Sequence, residues 1–507
     1  MLTAGMASQR ASAPFTLSQT FPRRRLDNRR IPLGPKSGSL RRRVAVAAGR
    51  FLPCGGLGRE PGRQAGPAIE IVMHTVASFH LAIFSTPRSL TSPAGWDHPA
   101  LIERPLLRLL GGPGAGVLRL LKDQPLSHDK STGHVKKRIV LHFPGFEPLD
   151  AGKHQARYKR SAVKTARLQD FDVQVGQVQS EGPGRYFDVD SQGADWQTAS
   201  RVYIFDHDEI VRRLNGRGTL HRMGAGYLSA LRVVWEGGAF GYFRHAWRFG
   251  LFFLFPFLLV AIGVAGSVLI GTAPYWLALE SSLLVLSAIV AYLAFFKLFL
   301  PWSERWHTLH LFSDWELAVA VARLEKPYFK QWVEDNLASV RAALSEPADE
   351  YVISSHSMGS SIATQVIGTL VEREPDLFAG KRVVFVTLGG AILQCALLRS
   401  AEVLRARVGA IARVKDIFWF DVQCLTDAIN FYRCQVVALA GHDDAPQPPI
   451  VFIRLKHMLS PERYGRIKRD FLRVHRQYVL DADVRAPFDF TMMTAGPLQA
   501  ASFATAS

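Results

Sequence analysis

The sequence predicts an α/β fold, a mostly parallel sheet with helices on both faces, interrupted by an inserted two-helix transmembrane hairpin. Three observations carry this prediction. Short β-branched and apolar runs alternate with helical sequence, the pattern of consecutive βαβ units. Between two groups of such runs lies "FGLFFLFPFLLVAIGVAGSVLIG", Phe249 to Gly271, 23 residues without a charge. Beyond it, "EYVISSHSMGSSIATQVIGTLVER" reads as strand, tight turn and amphipathic helix.

At 507 residues, 48% hydrophobic and 21% charged, the chain is long and apolar enough for two or three folded domains. A net charge of +18 spread over a surface would suggest nucleic acid. Residues 1–66, however, hold 13 Arg and Lys against 2 acidic residues, so +11 of the +18 sits there and +7 remains for the rest. No nucleic-acid partner is expected. Residues 1–70, with "FPRRRLDNRR" and "SLRRRVAVAAGR" among Ala, Gly, Pro and Ser, show no period and read as a disordered Arg-rich segment. Their composition resembles an organelle transit peptide, but a flexible tail or an over-extended start is the simpler reading. No n-region followed by an apolar h-region opens the chain, which argues against a cleaved secretory signal. Cys54, Cys395, Cys424 and Cys434 have neither metal-ligand spacing nor the number a disulfide framework needs, so a reducing compartment and no metal are expected.

Residues 71–135 give no defined pattern, and the first part of the α/β domain is read over 136–243. "RIVLHFPGFEP", Arg138 to Pro148, is a buried strand broken by Pro144 and Gly145. "HQARYKRSAVKTARLQ" suits the next helix, and "DFDVQVGQVQ" and "RVYIFDHDEIV" read as further strands. The hairpin is read over 244–305. Its first run, at about 1.5 Å per residue, crosses a hydrocarbon core of about 30 Å, and Pro256 is tolerated in such a helix. The second run starts at Ser281 and continues past Lys297 to about residue 302, with the lysine snorkelling and Trp302 at the interface. Arg244 and Arg248 precede the first span, Lys297 and Arg305 end the second, and "TAPYWLALE" between them has no Lys or Arg. The expectation is an integral membrane protein with two spans, the bilayer as partner, and the α/β domain and both termini cytoplasmic.

The second part of the domain is read over 306–485. Asp314 to Leu344 is helical, "EYVISS" a strand, and "SIATQVIGTLVER" a helix with Ile362, Val366 and Leu370 on one face, stopped by Pro375. "RVVFVTLGG", "DIFWFDV" and "IVFIRL" are three more strands, and 486–507 reads as a C-terminal tail. In such sheets the ligand lies beyond the carboxyl ends of the strands, so the residues following each run matter most.

There the sequence places Ser357, between His356 and Met358, with Ser355 and Gly359 around it. A sharp strand-to-helix turn that exposes a nucleophile, G-x-S-x-G, needs small residues at those positions; here a serine replaces the first glycine. With "HFPGFEP" upstream, the chain resembles the α/β-hydrolase superfamily from about Lys136 to about Tyr478, which makes the expected fold α/β-hydrolase-like. The resemblance implies Ser357 as nucleophile and the backbone N–H groups of Met358 and Phe146 as oxyanion donors. An acid and a histidine should follow in that order. Asp427, in the loop after "DIFWFDV", fits the acid, with Asp421 as alternative and the cluster His442 to Asp444 as a weaker rival.

Ser460 with Pro461 opens a helix on which Tyr464, Ile467, Phe471, His475 and Tyr478 share one face, turning His475 inward as the base; His457 is the alternative. "VHRQYV" resembles a short segment of fungal-type triacylglycerol lipases. These features imply a membrane-anchored serine esterase or lipase acting through an acyl-enzyme on an amphipathic ester or thioester, with no cofactor. A non-catalytic membrane scaffold or transport-associated protein on the same fold, or an acyltransferase using the same residues, are the alternatives.

Overall fold

The computed structural model describes residues 133–180 and 184–505. The Arg-rich segment 1–70 and nearly all of 71–135 lie outside them. Among the described residues there are eight strands, β1 (Lys137–Phe143), β2 (Asp172–Val175), β3 (Tyr186–Gln192), β4 (Gln197–Ile204), β5 (Glu350–His356), β6 (Val383–Leu388), β7 (Ile417–Cys424) and β8 (Ile450–Ile453). They form one sheet in the order β2-β3-β4-β1-β5-β6-β7-β8. All neighbouring pairs are parallel except β2 with β3 and β3 with β4. The helices that matter for the site are α1 (Ala151–Gln169), α2 (Asp208–Asn215), α3 (Thr219–Trp235), α4 (Gly238–His245), α5 (Trp247–Gly271), α6 (Leu283–Trp306), α7 (Thr308–Arg323), α8 (Pro327–Ser345), α9 (Met358–Arg373), α10 (Glu402–Arg413), α11 (Pro461–Ile467), α12 (Phe471–His475) and α13 (Phe490–Ala495).

The central strands are apolar runs without polar alternation because both of their faces are buried. Successive side chains point to opposite faces: Ile139, Leu141, Ile353 and Phe385 join the core beneath α7, α8, α9 and α10, while Val140, Val352, Val384 and Val386 join the core beneath α1 and α13. β3 differs. It is a polar strand with only Phe187, Val189 and Ser191 buried, and the sequence reading passed over it.

Four boundaries differ from expectation. "RVYIFDHDEIV" is strand only to Ile204, and its acidic end starts α2. The helical reading of Asp314 to Leu344 resolves into α7 and α8, parted where Leu324 turns left-handed and Pro327 opens the next helix. The long helix from Pro461 is broken into α11, α12 and a 3₁₀ turn over Arg476–Val479, because Asp470 caps a new start by accepting from the Arg473 N–H. Of the expected tail 486–507, the described residues to 505 are folded: α13 and the turn Ala500–Thr505 pack on the sheet, with Phe490, Met493 and Ala500 buried.

That last segment is held by a buried ion pair. Arg138 Nε donates to Glu350 Oε2 at 2.8 Å, with both side chains fully enclosed. The same guanidinium donates to the carbonyls of Gly496 and Leu498, and Glu350 Oε1 accepts from the Ala500 N–H. Removing one partner of such a pair strands the other, so Glu350→Ala should cost about 3–5 kcal/mol in chemical denaturation. An unchanged midpoint would mean the C-terminal segment is anchored by its apolar contacts alone.

Between β4 and β5 the chain leaves the sheet. Two helices, α5 and α6, are long and apolar enough to cross a membrane. α5 is rooted in the domain: Phe249 lies 4.2 Å from Phe431 between ring centroids, and Phe253 lies 4.7 Å from Trp315. Beside this root, α3 packs so closely on α7 that a Cβ on Gly226 would come within 2.6 Å of the Phe312 ring. Its other face is uncovered among the described residues, with Leu231 66% and Trp235 80% exposed, and Phe240 of α4 continues that surface.

Candidate active site

β5 ends at His356 and α9 begins at Met358, so the chain must turn within Ser357. The turn holds Ser357 at φ 55° and ψ −129°, a region that residues with a Cβ occupy only under constraint. The register sets Phe143 of β1 beside Ser355 and Leu388 of β6 beside His356, so Ser357 emerges between the loops that follow β1 and β6. Both loops crowd it. A Cβ on Gly145 would come within 3.1 Å of Ser357 Cβ, and one on Gly359 would lie 2.2 Å from the Phe143 carbonyl oxygen. Gly389, at φ 53°, leaves room for Tyr478 and for His475 Cε1, which an added Cβ would meet at 2.5 and 3.2 Å. Ser355 has space, and its hydroxyl donates to the Val386 carbonyl at 3.0 Å.

Two backbone N–H groups are placed near this turn by the chain path. Met358 opens α9, where first-turn N–H groups have no intrahelical acceptor. Phe146 follows Gly145 in the loop against Ser357, and His310 Nε2 donates to its carbonyl at 3.2 Å. A carbonyl only accepts, so His310 carries its proton on Nε2, and its Nδ1 accepts from Asn215. Burial lowers His310 to about 4, which keeps it neutral.

Asp427 lies three residues beyond β7 and His475 ends α12. His475 Nδ1 donates to Asp427 Oδ2 at 2.7 Å, the Tyr478 hydroxyl donates to the same oxygen at 3.1 Å, and the Ile429 N–H donates to Oδ1 at 2.9 Å. Asn430 in turn donates to the Tyr478 oxygen at 3.1 Å. With its proton committed at Nδ1, the imidazole keeps a lone pair on Nε2, which is buried without a protein partner. His356 fixes the other side: its Nε2 donates to the His475 carbonyl at 2.9 Å, and burial, helped by the neighbouring His475, lowers His356 to about 3.

Ser357 and His475 line one cavity of about 670 Å³. Among the described residues no hydrogen bond joins Ser357 Oγ to His475 Nε2. Chemically, the arrangement offers a strained hydroxyl, an imidazole oriented by a carboxylate, and backbone donors at the head of a helix.

The alternatives drawn from sequence are not brought to this point. Asp421 lies inside β7, where its carboxylate accepts from Thr387 at 2.6 Å and Gln423 at 2.7 Å, and burial pushes it up to about 6. His457 is exposed on a short helix, Leu455–Met458. His442 donates to the Arg405 carbonyl and Asp444 pairs with Arg413 at the surface, both structural roles.

Several residues of the cavity were missed from sequence. Glu147, next to Phe146, is largely enclosed, which alone would raise its carboxyl, but Arg157 and Arg476 outweigh that and hold it at about 2. Asp314 of α7 is pushed up to about 6 by burial, partly offset by the bond from Gln394. Phe252 of α5 forms part of the cavity wall. A charged residue within the apolar "HFPGFEP" and the paired glycines of "RVVFVTLGG" were signals for Glu147 and Gly389; nothing local marks Phe252. No family model, curated protein or solved structure matches this chain.

Proposed function

We propose that this chain is a membrane-anchored serine hydrolase of the α/β-hydrolase kind that cleaves carboxylic esters of lipids or other amphiphiles. The observation that carries the reading is the constrained backbone of Ser357 at the same end of the sheet, and in the same cavity, as His475, whose Nδ1 is held by Asp427. His475 Nε2 takes the Ser357 proton as Oγ attacks the ester carbonyl, and the Met358 and Phe146 N–H groups stabilise the oxyanion. Collapse expels the alcohol, which leaves with that proton from His475. Water, losing a proton to His475, then attacks the acyl-enzyme, and the acid departs as Ser357 regains its proton. Nucleophile–base hydrogen bonds are commonly loose until substrate closes the site.

The anchor is α5 with α6, two spans with their basic flanks on the cytoplasmic side. The uncovered apolar face of α3 and α4 runs directly into the first span and rests on the same bilayer. Phe252 makes the root of that span a wall of the cavity that holds Ser357, which is the apolar surface an acyl chain from the membrane would meet there.

A fluorophosphonate probe tests this. Wild-type protein should be labelled stoichiometrically and Ser357→Ala not at all; absence of labelling in wild type would sink the reading. In a series of esters differing only in acyl length, equal rates on acetyl and long-chain esters would remove the lipid assignment and leave the hydrolase.

A further inference from the structure

The cavity lining joins two unlike groups. One is apolar, Phe252, Leu311, Ile429 and Leu472; the other is Arg157, Arg160 and Arg476, two of them paired with Glu147. Arg157 Nη2 and Arg476 Nε each reach Glu147 at 2.5 Å, so one carboxylate, held ionised, is shared by two guanidiniums. Arg160 stands one helical turn from Arg157 on α1, exposed and without an ion-pair partner among the described residues. Three arginines against the two carboxylates of the lining, Glu147 and Asp314, leave the cavity with a positive excess. A largely enclosed carboxylate here would be unnecessary if the arginines merely solvated the surface. It ties Arg157 and Arg476 in place while leaving other N–H groups of both free to face the cavity. Guanidinium forks match phosphate and carboxylate geometry.

We propose that the cavity selects an anionic amphiphile: an ester whose phosphate or carboxylate head group is held by Arg157, Arg160 and Arg476 while its acyl chain lies along Phe252 and Leu472. This deepens the serine hydrolase reading and rests on it. Arg476 is the residue after His475, so a head group bound there is fixed within one residue of the base, which sets which carbonyl of the substrate reaches Ser357.

The test uses the full-length protein in neutral detergent micelles and three esters of one acyl length with a neutral, a phosphate or a carboxylate head group. At low salt kcat/KM for an anionic ester should exceed that of the neutral ester by about tenfold, the worth of one charge-assisted bond, and the ratio should fall as salt rises. Arg160→Gln should cut the ratio at least about fivefold and Arg160→Glu should invert it. Phosphate above carboxylate points to a phospholipid-like substrate, the reverse to a fatty diacid monoester. Binding is measured separately on Ser357→Ala protein with an alkyl phosphate and an alkyl glucoside of equal chain length. Tighter binding of the alkyl phosphate, weakened by Arg160→Glu, supports the head-group site even if no ester is turned over, in which case only the hydrolase reading fails. Equal binding of the two amphiphiles, or a wild-type ratio near one that Arg160→Glu leaves unmoved, overturns the proposal.

Discussion

Replacing Asp427 by Asn should lower kcat by about 10⁴ while KM changes little, the loss seen when an orienting aspartate of a serine hydrolase is made neutral. Asp427 accepts three hydrogen bonds, from His475, Tyr478 and the Ile429 N–H. An amide of the same shape still accepts from the backbone but can present its NH₂ to His475 Nδ1, favouring the tautomer with the proton on Nε2. That tautomer has no lone pair for the Ser357 proton. Fluorophosphonate labelling should slow in parallel, whereas substrate binding, which does not touch Asp427, should be kept.

Asp421→Asn is the matched control, and its effect should fall on stability. In the fold the Asp421 carboxyl titrates near 6, against about 3.9 in an unfolded chain. The folded state therefore binds the proton more tightly, so Asp421 favours folding below about pH 4 and that advantage is lost as pH rises towards 6, by about 3 kcal/mol. Asp314 contributes a slope of the same sign, so Asp421→Asn should shallow the decline without abolishing it. Glu147 acts oppositely: its depressed carboxyl adds stability above about pH 4.5 that is lost as pH falls towards 2. Denaturation at stepped pH, with turnover measured alongside, separates these. If Asp421→Asn abolishes turnover and Asp427→Asn does not, the acid has been misassigned.

What the sequence made legible follows physical locality. The β5–Ser357–α9 turn and the apolar runs of α5 and α6 are written in consecutive residues, and both elements stand where the pattern put them. Chain order pointed to Asp427 and His475, whose side chains meet at 2.7 Å, although the continuous helix assumed for His475 does not exist. The polar strand β3 was missed because, lying between β2 and β4 in the antiparallel part of the sheet, it buries only every second residue, Phe187, Val189 and a serine. Residues 486–505 looked like a tail because their binding is non-local: Arg138 and Glu350 are 212 positions apart, and the segment they hold is further still from Arg138. The cavity shows the same limit. Glu147, Arg157, Phe252 and Arg476 come from a loop, α1, α5 and the turn after α12, and no window of sequence contains them together.

The departure from the G-x-S-x-G pattern leads to the second large effect. Gly359→Ala should lose at least about 100-fold in turnover and about 3 kcal/mol in stability, whereas Ser355→Gly should cost no more than about 1 kcal/mol and keep turnover. The asymmetry is steric. A Cβ at 359 would stand 2.2 Å from the Phe143 carbonyl oxygen and 2.3 Å from that of Pro144, both backbone, so the whole loop bearing Gly145 and Phe146 must retreat from Ser357. Retreat of that loop would take the proposed oxyanion donor, the Phe146 N–H, out of reach. Ser355, by contrast, is fully buried with its hydroxyl on the Val386 carbonyl, so the first position of the motif tolerates a Cβ and even uses it. Turnover and melting temperature of the two variants measure this directly. A well-folded, active Gly359→Ala would mean that the loop after β1 moves freely, and Phe146 would then lose its place as an oxyanion donor.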